Sequence, residues 1–322
     1  MTLQKWLILF CVGLTLGCSK TEYGLPPASN EFGQQVTYNN KVDVVLMVDN
    51  SSSMGLYQDR LAASVPAMIN SLNSLGMDYN LVVVTTDMRS NGSGGMFVGS
   101  PKILNRNTPN LVNTLTARVR QGTGGSDLER GVESIYNVLS PNYLNGDGRG
   151  FLREDALLAV IALSNEDDYS SLSASNFASY LDSIKPKLKG TIPQWIVNFI
   201  GVPNLSSSCS TALDGIYKEP GLKWIDLATR SNGRIEPVCD TDLGKAVNNI
   251  RQRIVEVLTD FRLDMKPEIS TIRVFINGTE VPQSSVNGWE YIEAQNLIRF
   301  YGSYVPGASD RIVIDYKPKE SR

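Results

Sequence analysis

The sequence predicts an α/β fold, a mostly parallel sheet flanked by helices, with a small C-terminal antiparallel β module after it. Three observations carry this expectation. Four apolar runs, KVDVVLMV at 41–48, YNLVVVTT at 79–86, DALLAVIAL at 155–163 and QWIVNFIG at 194–201, are too continuous for half-exposed strands and read as strands buried on both faces. Segments of helical period lie between them, and strands alternating with helices imply parallel pairing. From residue 265 the period shortens to alternating runs punctuated by Gly, Pro and Asn, the pattern of antiparallel hairpins. At 322 residues and 42% hydrophobic content, the chain is long enough for both parts.

At the start of the chain, residues 1–17 place Lys5 before the apolar run LILFCVGLTLG, a signal-peptide pattern too short to span a bilayer. Leu14-Thr15-Leu16-Gly17-Cys18 resembles a bacterial lipobox, with Thr15 where a leucine is usual. The resemblance implies cleavage before Cys18, lipidation of Cys18, and a lipoprotein anchored in a membrane. Ser19 at the next position implies the outer membrane, with the protein periplasmic or surface-exposed. Residues 18–40 contain Pro26-Pro27 among Ser, Asn, Gly and Gln, and read as a lipid-anchored linker with one strand near 35–38.

After the strand at 41–48, Leu61, Val65, Met68, Ile69, Leu72 and Leu75 fall on one helical face, with Pro66 expected to kink it and Gly76 to stop it. A turn at 90–95 leads to a short antiparallel edge strand at 96–98 or 102–104. Further helices are expected at 108–119, 127–139, 174–184, 222–229 and 243–261, with a last strand at 234–235. In the helix at 127–139, Leu128, Val132, Ile135, Val138 and Leu139 share the buried face. Residues 143–151 (YLNGDGRGF) place Asn145, Asp147 and Glu154 in the order of a calcium loop, but Tyr143 occupies its first position, so they read as a turn. In the C-terminal part, 270–276 and 279–281 flank Asn277-Gly278, the preferred two-residue hairpin turn. Strands at 289–292, 297–301 and 311–316 complete a module expected to pack on the larger domain or on the 35–38 strand.

Composition closes several functional classes. A net charge of −3 with no long basic run gives no electrostatic footprint for nucleic acid. Histidine is absent, which removes the commonest general base, the Ser-His and Cys-His pairs and the usual zinc ligand set. Of four cysteines, Cys11 and Cys18 lie in the N-terminal segment, and Cys209 and Cys239 are left as one expected disulfide of an exported protein. If they pair, closing a loop of about 31 residues contributes roughly 3 to 4 kcal/mol in the chain-entropy model.

The chemistry gathers after the first buried strand. Asp49, Ser51 and Ser53 stand at alternate positions in DNSSS, at the carboxyl end where open α/β sheets collect ligands. One carboxylate and two hydroxyls offer only oxygen, which suits a hard divalent cation such as Mg²⁺. The spacing D-x-S-x-S resembles the metal-ion-dependent adhesion site of the von Willebrand factor A (vWA) family. That resemblance spans residues 41–262, with the β module at 265–322, and implies a Rossmann-like sheet and a cation, Mg²⁺ or else Mn²⁺ or Ca²⁺. It also implies a second loop supplying a hydroxyl. In GTGGS at 122–126, residue type favours Thr123 and counting back from Gly131-Val132 favours Ser126. A P-loop reading of these glycines lacks the following Gly-Lys-Ser/Thr.

The third cluster departs from the family pattern. Where an aspartate usually ends the strand, this chain has Asn165, followed by Glu166, Asp167 and Asp168 as nearby substitutes. An amide oxygen ligates without charge, so cation affinity falls and a carboxylate from a partner is favoured. The function implied is cation-dependent adhesion: a lipid-anchored, non-enzymatic protein engaging the exposed carboxylate of a protein or glycan ligand. The alternatives are an envelope scaffold with a degenerate site and, behind it, a metal-dependent hydrolase.

Overall fold

The computed structural model describes residues 34–37, 40–187, 194–206, 209–307 and 310–319. The leader at 1–17, Cys18, Ser19 and most of the linker lie outside the described residues. In chain order, β1 (Gln34–Thr37) and β2 (Lys41–Val48) are followed by α1 (Gly55–Ser74), β3 (Asp78–Thr85), α2 (Leu111–Val119), α3 (Gly131–Val138) and α4 (Pro141–Asn145). Then come β4 (Leu157–Leu163), α5 (Ala174–Ile184), β5 (Trp195–Gly201), α6 (Thr211–Asp214), α7 (Leu222–Arg230), β6 (Ile235–Pro237) and α8 (Gly244–Thr259). The last strands are β7 (Phe261–Arg262), β8 (Arg273–Ile276), β9 (Thr279–Glu280), β10 (Gly288–Ile292), β11 (Leu297–Tyr301) and β12 (Arg311–Asp315).

A five-stranded parallel sheet of order β3-β2-β4-β5-β6 forms the centre. Its strands are rich in Val, Ile and Leu because both faces are covered. Val42, Val44, Leu46 and Val48 of β2 pack with Leu61 and Ile69 of α1, Leu115 of α2 and Ile250 of α8. Val45 and Met47 face the opposite layer, with Val132 of α3, Phe177 of α5 and Trp224 of α7. Each such side chain, fully buried, contributes about 1.5 to 3 kcal/mol. The α/β class is as expected, and the carboxyl ends of β2, β3 and β4 meet on one rim of the sheet.

Some elements differ from expectation. Helix α1 continues through Pro66 for twenty residues, with nine buried side chains offsetting the single lost backbone hydrogen bond, and stops before Gly76 as expected. The expected edge strand is reduced to a single antiparallel bridge between Leu81 and Leu104. The helix expected from 108 begins at Leu111, because Asn110 takes a left-handed conformation with φ 51°. The helix expected from 127 begins only at Gly131, with consequences for the site described below.

Cys209 and Cys239 are bonded, with Cα atoms 5.2 Å apart, tying the segment before α6 to the loop after β6. Beyond α8, β1-β12-β8-β9 make one antiparallel sheet and β10-β11-β7 another. Asn277 and Gly278, at φ 51° and 82°, turn the β8–β9 hairpin as a type I′ turn requires. The strand from the linker, β1, pairs along β12, so the two ends of the described chain share a sheet. Asp260 at the end of α8 and Arg299 of β11 form a two-pronged ion pair at 2.7 Å, and Leu258 packs into both adjoining cores. Among the described residues, no helix is long and apolar enough to cross a membrane.

Candidate metal centre

Strand β2 delivers Asp49 to the rim of the sheet, fully buried. Its Oδ1 accepts from the Ser51 amide at 2.8 Å and the Thr86 hydroxyl at 3.3 Å, and its Oδ2 accepts from the Ser164 hydroxyl at 2.7 Å. The Asp49–Ser51 bond closes an Asx turn, which reverses the chain and aims the following hydroxyls back over the carboxylate. Ser51 and Ser53 Oγ atoms lie 3.4 Å apart, and Ser53 Oγ donates to Asn165 Oδ1 at 3.1 Å. Asn165 Nδ2 donates to the Tyr217 carbonyl at 2.6 Å, which fixes the amide with its oxygen toward Ser53. Asp49, Ser51, Ser53 and Asn165, spread over 117 positions of the sequence, therefore form one continuous set of oxygens.

The second loop is clamped beside them. Gln58, buried on α1, donates to the Asp49 carbonyl at 2.8 Å and the Gly122 carbonyl at 2.9 Å, and accepts from the Gly122 amide at 3.0 Å. The Gly125 amide donates to the Asn50 carbonyl at 2.8 Å, and a Cβ at 125 would come within 2.4 Å of the Asn50 side chain, so the close approach requires glycine. Asp127 accepts from both the amide and the hydroxyl of Ser52, at 3.0 and 2.8 Å. The Ser126 hydroxyl accepts from the Leu128 amide at 3.1 Å. Thr123 is exposed, with its methyl near Gly55 at the start of α1. The hydrogen bonds of the Asp49 cluster reach neither Thr123 nor Ser126.

The acidic run after β4 divides by role. Asp167 accepts from the Lys223 amide at the start of α7 at 2.8 Å, and Asp168 accepts from the Val132 amide at the start of α3 at 2.9 Å and pairs with Lys223. Both are helix-terminal partners. Glu166 alone is left near the cluster, and burial together with the Asp49 charge pushes its carboxyl up to about 7. Asp87, at the end of β3, is buried and held by Arg89, whose guanidinium also donates to the Gly124 carbonyl at 2.7 Å.

The residue that sequence reasoning missed is Glu129. Because α3 starts at Gly131, the buried face expected of 127–139 is inverted at its beginning: Leu128 is 54% exposed and Glu129 is 1% exposed. The four preceding residues are spent on other contacts, including Tyr169 N to Glu129 O at 2.7 Å and Arg130 N to Thr86 O at 3.1 Å. Neither Glu129 carboxylate oxygen has a hydrogen-bond partner. Burial first, then the charges of Asp49 and Glu166, push its carboxyl up to about 8, with its own backbone amide and the nearby Ser51 hydroxyl acting the other way. Asp49 is raised by burial against its three hydrogen bonds. Among the described residues, no ion pair includes Asp49, Glu129 or Glu166. The only sequence signal for it is an acidic residue shortly after the glycine loop at 122–126.

The chemistry of this donor set fits a hard divalent cation. Every donor is an oxygen, three carboxylates crowd one rim without a cationic side chain, and one of them is dry and unpartnered. Among the described residues, no group of three or more His, Cys, Asp or Glu is arranged to hold a metal, so hydroxyl and amide oxygens would have to supply part of the coordination.

No family model matches the chain, and no curated protein matches it. Among solved structures, it is similar to proximal thread matrix protein 1 from the mussel byssus, at 11% identity and a TM-score of 0.41, covering 72% of this chain and 51% of that one. A form of that protein with a zinc-occupied MIDAS motif matches at 10% identity and the same TM-score of 0.41, with the same 72% and 51% coverage. The pilus adhesin SpaC from Lactobacillus rhamnosus GG matches at 14% identity and a TM-score of 0.45, covering 88% of this chain and 40% of the adhesin. The chain thus spans about half the length of the first two and two fifths of the third.

Proposed function

We propose that this chain is a divalent-cation-dependent binding protein, tethered to the bacterial outer membrane through lipidated Cys18 and facing the periplasm or the outside. The observation that carries the reading is the continuous oxygen set of Asp49, Ser51, Ser53 and Asn165 at the sheet rim, where a buried carboxylate has no cationic partner. Asp49, Ser51 and Ser53 would hold Mg²⁺ or Mn²⁺, with the Ser126 or Thr123 loop closing one side. A bound cation supplies an open coordination position for the carboxylate of a protein or glycan ligand. Asn165 adds an oxygen and no charge, so the loop after β4 does not itself neutralise the ion. Among the described residues, the Lys and Arg side chains beside the cluster are committed to other partners: Arg89 is held by Asp87, Arg130 by Glu133 and Lys223 by Asp168. The reading is therefore adhesion rather than hydrolysis.

The test has two stages. Calorimetric titration of the purified protein with Mg²⁺ and Mn²⁺ is expected to show one site, lost in Asp49→Ala while circular dichroism stays that of the folded chain. Retention of the protein on envelope or target-cell material is then expected to disappear with chelator and with Asp49→Ala. Unchanged retention after both treatments overturns the adhesive reading, and absence of cation binding leaves a scaffold.

A further inference from the structure

We infer that Glu129 supplies the second carboxylate of the cation site, replacing the acidic group that the third loop does not provide at Asn165. This rests on the cation reading above and goes beyond it by assigning a residue from a different loop.

Asn165 is committed as an amide. Its Nδ2 donates to the Tyr217 carbonyl at 2.6 Å while its Oδ1 accepts from Ser53 at 3.1 Å. A carboxylate there would set an oxygen against the Tyr217 carbonyl and lose the bond that fastens the segment before α7 to the end of β4. The charge has to come from elsewhere. Glu129 is 1% exposed, both of its oxygens lack partners, and it lies within the electrostatic reach of Asp49 and beside Ser51. A dry carboxylate with no donor costs stability unless something neutralises it. The basic side chains of the adjoining segments are already committed: Arg89 to Asp87, Arg130 to Glu133, Lys223 to Asp168. A proton or a cation remains, and the choice between them is what the experiment decides.

The position of Glu129 is built rather than incidental. Its carbonyl accepts from the Tyr169 amide at 2.7 Å, and its neighbour Arg130 donates from its backbone to Thr86 at 3.1 Å; Thr86 in turn reaches Asp49. Those two backbone bonds hold residue 129 out of helix α3 and turn it inward, at the cost of exposing Leu128. With Asp49 and Glu129 both ionised around one divalent ion, the charges cancel before any ligand arrives. Ligand binding is then selective for carboxylates that can enter the coordination sphere, and not for any anion attracted at a distance.

The test uses the full chain and its Glu129→Gln, Glu129→Asp and Glu166→Gln variants, with Mg²⁺ and Mn²⁺ alone as probes. Calorimetric affinity and the cation-induced rise in Tm are both read. Glu129→Gln keeps the shape and removes the charge: its affinity is expected to fall roughly 10- to 100-fold. Its cation-free Tm is expected to change little, since one buried polar group without partners replaces another. Glu129→Asp is expected to keep part of the affinity, and Glu166→Gln, at the half-exposed rim, to change it by less than about threefold. If the wild type binds the cation and Glu129→Gln binds equally well, Glu129 is a protonated structural acid and the inference fails while the cation reading stands. If the wild type binds neither ion, the cation reading itself fails and takes this inference with it. A fall in cation-free Tm with unchanged affinity likewise overturns the assignment.

Discussion

The two ends of β2 each bury an aspartate on the same face of the sheet, and they treat it in opposite ways. Asp43 and Asp49 are both fully buried and six residues apart, about 20 Å along a strand. At the amino end, Arg153 donates its backbone amide to Asp43 at 2.6 Å and its Nε at 2.8 Å, while its Nη1 reaches Asp78 at 2.7 Å. At the carboxyl end, Asp49 receives two hydroxyls and one amide, all neutral, and two further carboxylates face it. The chain supplies its own cation at one end of the strand and withholds it at the other. A fold can carry a buried charge pair anywhere. Carboxylates buried together without a cationic side chain need a proton or a bound cation to complete the balance.

The largest effect that would sharpen this contrast is at Arg153. Arg153→Ala leaves Asp43 buried without its partner and is expected to destabilise the protein by about 3 to 5 kcal/mol in urea unfolding. A loss below ~1 kcal/mol would mean that the two ends do not differ in the way their hydrogen bonds indicate.

The next effect is one of pH. Burial outweighs the ion pair at Asp43 and pushes its carboxyl up to about 6, above the ordinary value. The folded state therefore favours the neutral acid. Its contribution is fully present below the unfolded-state value near ~4 and is lost as pH rises through about 6. That share is on the order of 2 to 3 kcal/mol, and Asp43→Asn should remove it from the stability profile between about pH 4 and 6. Carboxyl NMR of Asp43 is expected to show a midpoint near the value of about 6. A midpoint near ~4 would show that Arg153 dominates burial at this end.

How much of this was readable beforehand follows from what each feature depends on. The strands were legible because burial on both faces leaves an apolar run, and α5, at Ala174–Ile184, fell where its period placed it. Asp49, Ser51 and Ser53 were legible because their spacing is local, within one Asx turn. Arg153, Gln58 and Ser164 were not, since each acts on a partner distant in sequence: 110 residues for Arg153, 115 for Ser164, and 64 for Gln58 on Gly122. Glu129 was hidden by a period that is real but starts late. Leu128 fits the amphipathic pattern, and only the tertiary bonds at Tyr169 and Thr86 take residues 127–130 out of the helix. The split of the acidic run at 166–168 was equally invisible, because Asp167 and Asp168 differ from Glu166 only in which helix start they meet.

The smallest expected effect tests whether the neutral oxygens at the carboxyl end are donors to an ion or merely turn chemistry. Ser53 is half-buried and its only described bonds are to Ser51 and to Asn165, so it caps no helix and supports no distant loop. Ser53→Ala should therefore leave cation-free stability within about 0.5 kcal/mol, the usual range for a substitution away from packing and caps. If its oxygen is part of the coordination, cation affinity falls about tenfold, equivalent to ~1.4 kcal/mol. The two readings separate cleanly: a turn residue would shift Tm equally with and without Mg²⁺, whereas a donor shifts it only with the ion present. An unchanged affinity would narrow the carboxyl end of β2 to its carboxylates and leave the hydroxyls as scaffolding for the loop.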